Sequence, residues 1–294
     1  MAHKTLVPVL RRACIILCAA AGTAIAVFAF VRGNEVGKFA AAPDGLVDSM
    51  LFLAVKSRAM WLSGISGTLT VAGVGSILGF VFAVLLVFVR SSDVSWRDSA
   101  FLQTIKFAAI EMEKLYVTVI RGTPMMVQAC IVYYAGFAIA KSALRDLSIT
   151  EINRIWSFFT AGLITLSLNT SAYIAEVLRG GIESLEKGQK EAALALGFTP
   201  WQTMMCVVFP QVIKNSLPSL CNEVINNIKG SSVLTVIGFV ELMFATDSVA
   251  GFYYEYLPSY CLSAVLYLAI ILSITWILNG AVHHLGIQVF QGEN

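Results

Sequence analysis

Polar groups are few in this chain, and they fall in places where they matter. Of its 294 residues, 57% are hydrophobic and 13% charged. Gln128 interrupts one apolar run, and Asn169, Thr170 and Ser171 end another. Asn226, Asn227, Lys229, Ser231 and Ser232 break a third beside Gly230. Amides, hydroxyls and one ammonium do recognition chemistry: together they could bind the carboxylate and amino groups of a small zwitterion. For each amide or hydroxyl alone, a helix–helix hydrogen bond or a bond back to its own helix explains the residue equally well. An unpaired Lys229 is harder to explain structurally, although Glu223 or Glu176 could neutralise it.

Other site chemistries find little support. His283 and His284 are adjacent on a helix and point to different sides, and His3 is near the start, so no histidine pair has metal-ligand spacing. Cys14, Cys18, Cys130, Cys206, Cys221 and Cys261 lie in or against apolar segments and read as small core residues rather than a disulfide framework. The stretch GNEVGK at 33–38 has one residue too few between its glycines to cradle a phosphate, and Phe39 stands where a hydroxyl is required. A net charge of +2, with no basic block interleaved with aromatics, points to no nucleic-acid partner.

The elements that must position the polar groups are membrane helices. The mean hydropathy is +0.78. Residues 13–31, 59–89, 122–140 and 155–175 contain no Asp, Glu, Lys or Arg, and further apolar regions lie around 216–240 and 256–282. A hydrocarbon core about 30 Å thick needs roughly 20 apolar helical residues, so an all-α membrane protein with six transmembrane helices is expected. Soluble helices would carry a charged face every three or four residues, and these runs do not. The first run also resembles the core of a signal peptide, but its length favours an uncleaved helix. Gly75 and Gly79, four apart in the second run, predict close helix approach. With the start of the chain inside, the inner segments hold twelve Lys or Arg and the outer loops seven, which supports both termini being cytoplasmic.

Four crossings then return EAALALGFTPWQTMMCVVFP, residues 191–210, to the cytoplasm. Arg179 to Leu196 favours helix, Gly197 can end it in the left-handed conformation, and Thr199-Pro200 can cap and begin another. Pro210 can angle the chain into the next span. A helix–bend–helix with Ala192 and Ala193 on its surface and Glu191 as an orienting charge reads as a docking element.

Glu191-Ala192-Ala193, Gly197 six residues after the glutamate and Val207-x-Phe209-Pro210 resemble the cytoplasmic loop of ABC importer permeases. RGTPMMVQ at 121–128, LNTSAYIAEVLRGGIESLEKGQKEAALALG at 168–197 and NEVINNIKGSSVLTVIGFVEL at 222–242 are similar to the polar amino-acid branch of that family. The resemblance runs from about residue 60 to about 280. It departs at Gly230, where the family often has Asp, and at Phe209, where leucine usually precedes the proline.

This resemblance implies a permease core of five helices over 59–285 with a coupling loop near 179–210. Residues 1–58 add a cytoplasmic start, an extra helix and an outer loop, and 286–294 form a cytoplasmic tail. It also implies a multi-pass subunit of a bacterial plasma (inner) membrane, surrounded by lipid, that is not itself an enzyme and binds no cofactor. ATP and Mg would sit on partner ATPase subunits. A second permease, identical or homologous, and an extracytoplasmic solute-binding protein complete the implied assembly. Glu191, Ala192, Ala193 and Gly197 would contact the ATPase; Gln128, Asn169, Thr170, Ser171, Asn226, Lys229, Ser231 and Ser232 would line the path of a polar amino acid. A secondary transporter would favour an inverted repeat, a channel a filter sequence; neither is evident. A plain scaffold would leave the loop unexplained.

Overall fold

The computed structural model describes residues 31–39, 41–92 and 99–284, and all regular structure among them is helical. The elements, in order, are α1 (Leu46–Lys56), α2 (Arg58–Arg90), α3 (Ala100–Gly122), α4 (Met125–Ala143), α5 (Ile149–Ile155) and α6 (Phe158–Glu183). There follow α7 (Lys187–Ala195), α8 (Pro200–Gln202), a π-helical segment (Thr203–Val208), α9 (Phe209–Gly230), a 3-10 segment (Ser231–Ile237), α10 (Leu242–Tyr253) and α11 (Tyr256–His284).

Four stretches are long and apolar enough to cross a membrane: Arg58–Arg90, Met125–Ala143, Ile149–Glu183 and Tyr256–Val282. A fifth is counted when the bent pair Pro200–Ile237 and Leu242–Tyr253 is taken as one span. The expected sixth, over 13–31, and the tail 286–294 lie outside the described residues. The α2 helix has 33 residues, about 50 Å at 1.5 Å per residue, which exceeds the hydrocarbon thickness of about 30 Å. Polar caps mark the break within the third stretch. Ser148 and Glu151 form a reciprocal capping box at the start of α5, and the Ser157 hydroxyl accepts from the Thr160 N–H at the start of α6.

The chain divides into two compact units. The first takes residues up to Ser63 together with Ala245–Leu266. Its segment 33–58, expected as an outer loop, contains the eleven-residue α1. Phe52 and Leu53 are fully buried there, Phe52 meets Tyr253 edge to face at 5.6 Å, and the Trp61 indole donates to the Leu53 carbonyl at 3.1 Å. Arg32 donates to both oxygens of Asp48, at 3.0 and 2.9 Å, and this pairing holds the Asp48 carboxyl below the usual carboxylate range.

The second unit spans Gly64–Phe244 and continues from Tyr267. Within it α6 packs against α3, α4 and α9. One apolar cluster joins Leu86, Val117, Leu178, Val208 and Val212, and another joins Val71, Ala129, Leu166, Leu234 and Phe239. Because lipid tails are as apolar as leucine, helix association here depends on close packing and polar contacts. The predicted small-residue seam is present: a Cβ on Gly75 would come within 2.9 Å of Leu166, and one on Gly79 within 2.6 Å of Thr170. Gly67 meets main chain rather than a side chain: a Cβ there would sit 2.1 Å from the carbonyl oxygen of Val240.

Candidate functional site

The 191–210 stretch folds as its residues direct. Gly197 takes φ +88°, the Phe198 N–H donates to the Ala193 carbonyl at 3.1 Å, and the Gly197 N–H to that of Leu194 at 3.0 Å. This pair of bonds is the Schellman closure of a helix, which favours glycine at the left-handed position. Thr199 then caps α8 through a reciprocal box with Gln202, and Pro200 occupies the first turn. Glu191, Ala192 and Gly197 are exposed.

Ala193 corrects the expectation. It is 5% exposed and turned inward, because the rotation of α7 about its axis puts position 193 on the side that faces the rest of the protein. The surface is apolar instead through Leu194, Leu196 and Trp201, with Leu196 80% exposed. Sequence reading passed over these three, although apolar side chains within the expected docking loop are a usable signal of a partner surface.

The predicted path residues fall into bonded sets. The Asn169 amide donates to Gln128 Oε1 at 3.1 Å, while the Gln128 amide donates to the Ile120 carbonyl at 2.7 Å and the Thr123 hydroxyl at 2.8 Å. The Thr170 hydroxyl donates to Asn227 Oδ1 at 3.0 Å, and the Asn227 amide donates to Ser76 Oγ at 2.8 Å. This bridge ties α2, α6 and α9 together. Such intramembrane bonds contribute about 0.6 kcal/mol each on average. Ser171 donates to the Leu168 carbonyl at 2.8 Å and lies 2.7 Å from the Tyr116 hydroxyl. Ser231 and Ser232 bond back to Ile228 and Lys229.

Thr170, Ser171 and Ser231 are therefore buried with their hydroxyls engaged inside the bundle. Asn226 and Lys229 differ, since both are exposed. Neither carboxylate that could neutralise Lys229 does so: Glu176 pairs with Arg179 and Arg121, and Glu223 accepts from Asn226 at 3.5 Å. Lys229 forms no ion pair among the described residues. It sits two residues before the 3-10 segment that starts at Ser231 and that Gly238 ends at φ +89°.

Glu241 is a further polar residue that sequence reading did not single out. Fully buried, its carboxylate accepts from the N–H groups of Met243 and Phe244 at 2.9 and 2.7 Å and from the Tyr267 hydroxyl at 2.8 Å. It caps the start of α10. A lone carboxylate in the otherwise uncharged stretch 230–246 was the available signal.

A helical membrane bundle with a hydrogen-bonded polar seam and a rigid small-and-apolar bend at one end defines the class: a polytopic transport subunit. Residues 114–285 match the family described as binding-protein-dependent transport system inner membrane component, and the chain belongs to that family. It is 32% identical over 216 residues to the arginine transport system permease protein ArtQ of Bacillus subtilis, covering 74% of this chain and 88% of that one. To the glutamine transport system permease protein GlnP of Escherichia coli K12 it is 33% identical over 218 residues, covering 74% and 89%. A crystal structure of an amino acid ABC transporter with histidines superposes with TM-score 0.64 at 30% identity, covering 78% of this chain and 96% of that one. An inward-facing MetNI methionine ABC transporter shares the fold, with TM-score 0.60 at 15% identity. The chain is thus a membrane-embedded permease subunit of an ABC importer and not itself an enzyme. No group of side chains suited to a metal ion occurs among the described residues.

Proposed function

We propose that this permease imports a polar amino acid and that α7, the Gly197 bend and α8 transmit the motion of partner ATPases. The observation that carries the reading is the bend itself: a backbone-locked turn presenting Glu191, Ala192 and Leu196 to solvent. The amino-acid cargo is supported by relatives named for arginine and glutamine transport. The functional unit pairs two permease chains with two ATPases, which carry the ATP and Mg, and receives cargo from a soluble binding protein. In this reading residues 59–285 are the permease core, 1–58 and 286–294 are additions to it, and both termini are cytoplasmic. Single cysteines at positions 3 and 292 of an otherwise cysteine-free chain should react only from the cytoplasmic side; labelling from outside would reject the orientation.

For the path, exposure divides the polar residues. Thr170, Ser171, Ser231 and the buried Gln128 serve packing, while the exposed Asn226 and Lys229, with the half-buried Asn169 and Ser232, meet the cargo. Lys229 supplies the cation for the cargo carboxylate, a charge-assisted contact worth roughly tenfold to a hundredfold in affinity. Labelled amino acids competing for uptake by the reconstituted complex identify the cargo. Lys229→Ala should weaken half-saturation by about that factor, Asn169→Ala by less, and Ser231→Ala hardly at all. Parental selectivity and affinity in all three variants would remove the proposed path.

A further inference from the structure

A cavity of about 500 Å³ opens between the end of α2, the end of α6, and the α7–α8 region. Its floor is apolar, with Phe88, Ile182, Leu185, Met204 and Val208, and its mouth carries Arg90, Ser91, Glu186 and Trp201. That volume is in the range of pockets that enclose small organic ligands.

Three observations say what fills it. First, Thr203 lies in the wall, is 1% exposed, and its Oγ1 is one of two buried side-chain polar atoms without a hydrogen-bond partner among the described residues. Thr104 and Thr165 return their hydroxyls to the preceding turn, to Ala100 at 2.9 Å and Ala161 at 2.8 Å, and Thr170 finds Asn227 across the bundle. Thr203 instead opens a π-helical segment, a geometry often kept at functional sites. A buried donor left unmet is costly, so an acceptor belongs beside it.

Second, the cavity lies at a bilayer boundary. Arg90 is the first charge after 31 uncharged residues of α2, 59–89, and Trp201, 5.3 Å from Phe88 between ring centroids, is exposed at the mouth, as tryptophans at membrane interfaces are. Third, the mouth carries both signs. The Arg90 guanidinium donates to Glu113 at 3.2 Å and retains other N–H groups, and Glu186, also in the lining, has no ion pair among the described residues.

We infer that this cavity holds one glycerophospholipid with a zwitterionic headgroup. Its phosphate sits on Arg90 and Ser91 and its ammonium on Glu186. An ester carbonyl accepts from Thr203, and an acyl chain covers the floor of Leu185, Met204 and Val208. Basic pockets between membrane helices at their aqueous ends hold anionic headgroups by the phosphate; Glu186 in this lining adds the carboxylate that suits a zwitterionic one. The site adjoins the α7 bend, so its occupant would stiffen the link between α7 and the spans. It does not depend on which amino acid is carried.

The full chain, purified in detergent and delipidated, can be titrated with phosphatidylethanolamine and inspected by native mass spectrometry. One lipid per chain is expected to be retained. Thr203→Val, nearly unchanged in shape, should weaken retention about tenfold, the worth of one lost hydrogen bond to a buried group. Val208→Trp, which fills the floor, should abolish it, with monodisperse gel filtration showing that the chain is folded. Phosphatidylglycerol should bind at least about tenfold more weakly for lack of the ammonium. Equal retention in wild type and both variants, equal binding of the two lipids, or displacement by phosphoethanolamine or inorganic phosphate alone would each overturn the assignment.

Discussion

A chain carrying Gly197→Asp is expected to insert and fold but to lose coupled uptake by tenfold or more. Gly197 has φ +88° and nothing within 4 Å of the place a Cβ would take, so a side chain there meets no protein atom. The cost inside the chain is the left-handed backbone, about 1–2 kcal/mol, confined to the α7–α8 link. The clusters around Leu178 and Leu166 should therefore keep their thermal stability. The partner surface is another matter, because the new carboxylate stands beside Leu196, the most exposed of the apolar side chains on this stretch. Placing an unpaired charge in an interface core costs about 2 kcal/mol or more, a factor near thirty in docking. Uptake and ATP hydrolysis, measured together on reconstituted complexes, check this: hydrolysis should persist without cargo-stimulated transport. Normal coupled transport would sink the assignment of the bend.

The second large effect is on the fold. Gly67→Val should prevent assembly of the bundle, because the added Cβ would meet backbone: the Val240 carbonyl oxygen at 2.1 Å and its carbon at 3.2 Å. No rotamer change relieves such a contact, and the Leu242 N–H that donates to Thr68 at 3.1 Å lies in the same crossing. Overpacking against rigid main chain costs on the order of 3–5 kcal/mol. Fluorescence-detected gel filtration of membranes solubilised in mild detergent should show the variant aggregated or absent, while Gly73→Val, where nothing lies within 4 Å, remains monodisperse.

How far the sequence reached depends on what each residue's role is made of. Spans were legible because burial in lipid depends on composition along a single stretch, so the charge-free run 59–89 announces α2 by itself. The α7–α8 bend was legible for a related reason: Gly197, Thr199 and Pro200 act through their own backbone geometry and their nearest neighbours. Partners across the bundle were not. Thr170 and Asn227 are 57 positions apart, and whether each faces the other depends on the rotation of two helices about their axes, which no local pattern contains. Ala193 went inward for the same reason. The 222–242 motif placed Lys229 and Ser231 on one path, with Lys229 the stronger candidate, yet residues two apart on a helix point to nearly opposite sides, and here one is exposed and the other buried.

That dependence on rotation gives the π-helical segment Thr203–Val208 a second meaning. It absorbs one residue more per turn than an α-helix would. Deleting a single residue there would let the segment relax to ordinary winding while every position downstream kept its facing, because the extra residue is taken up within the wide turn. The α-helical stretch that follows has no such slack: a residue deleted between Pro210 and Asn227 would swing every position downstream by about 100° about the helix axis. Asn227 would then face away from Thr170 and Ser76. The π-helical segment is a slack turn, and a one-residue change of length should be tolerated better within it than in the helix beyond.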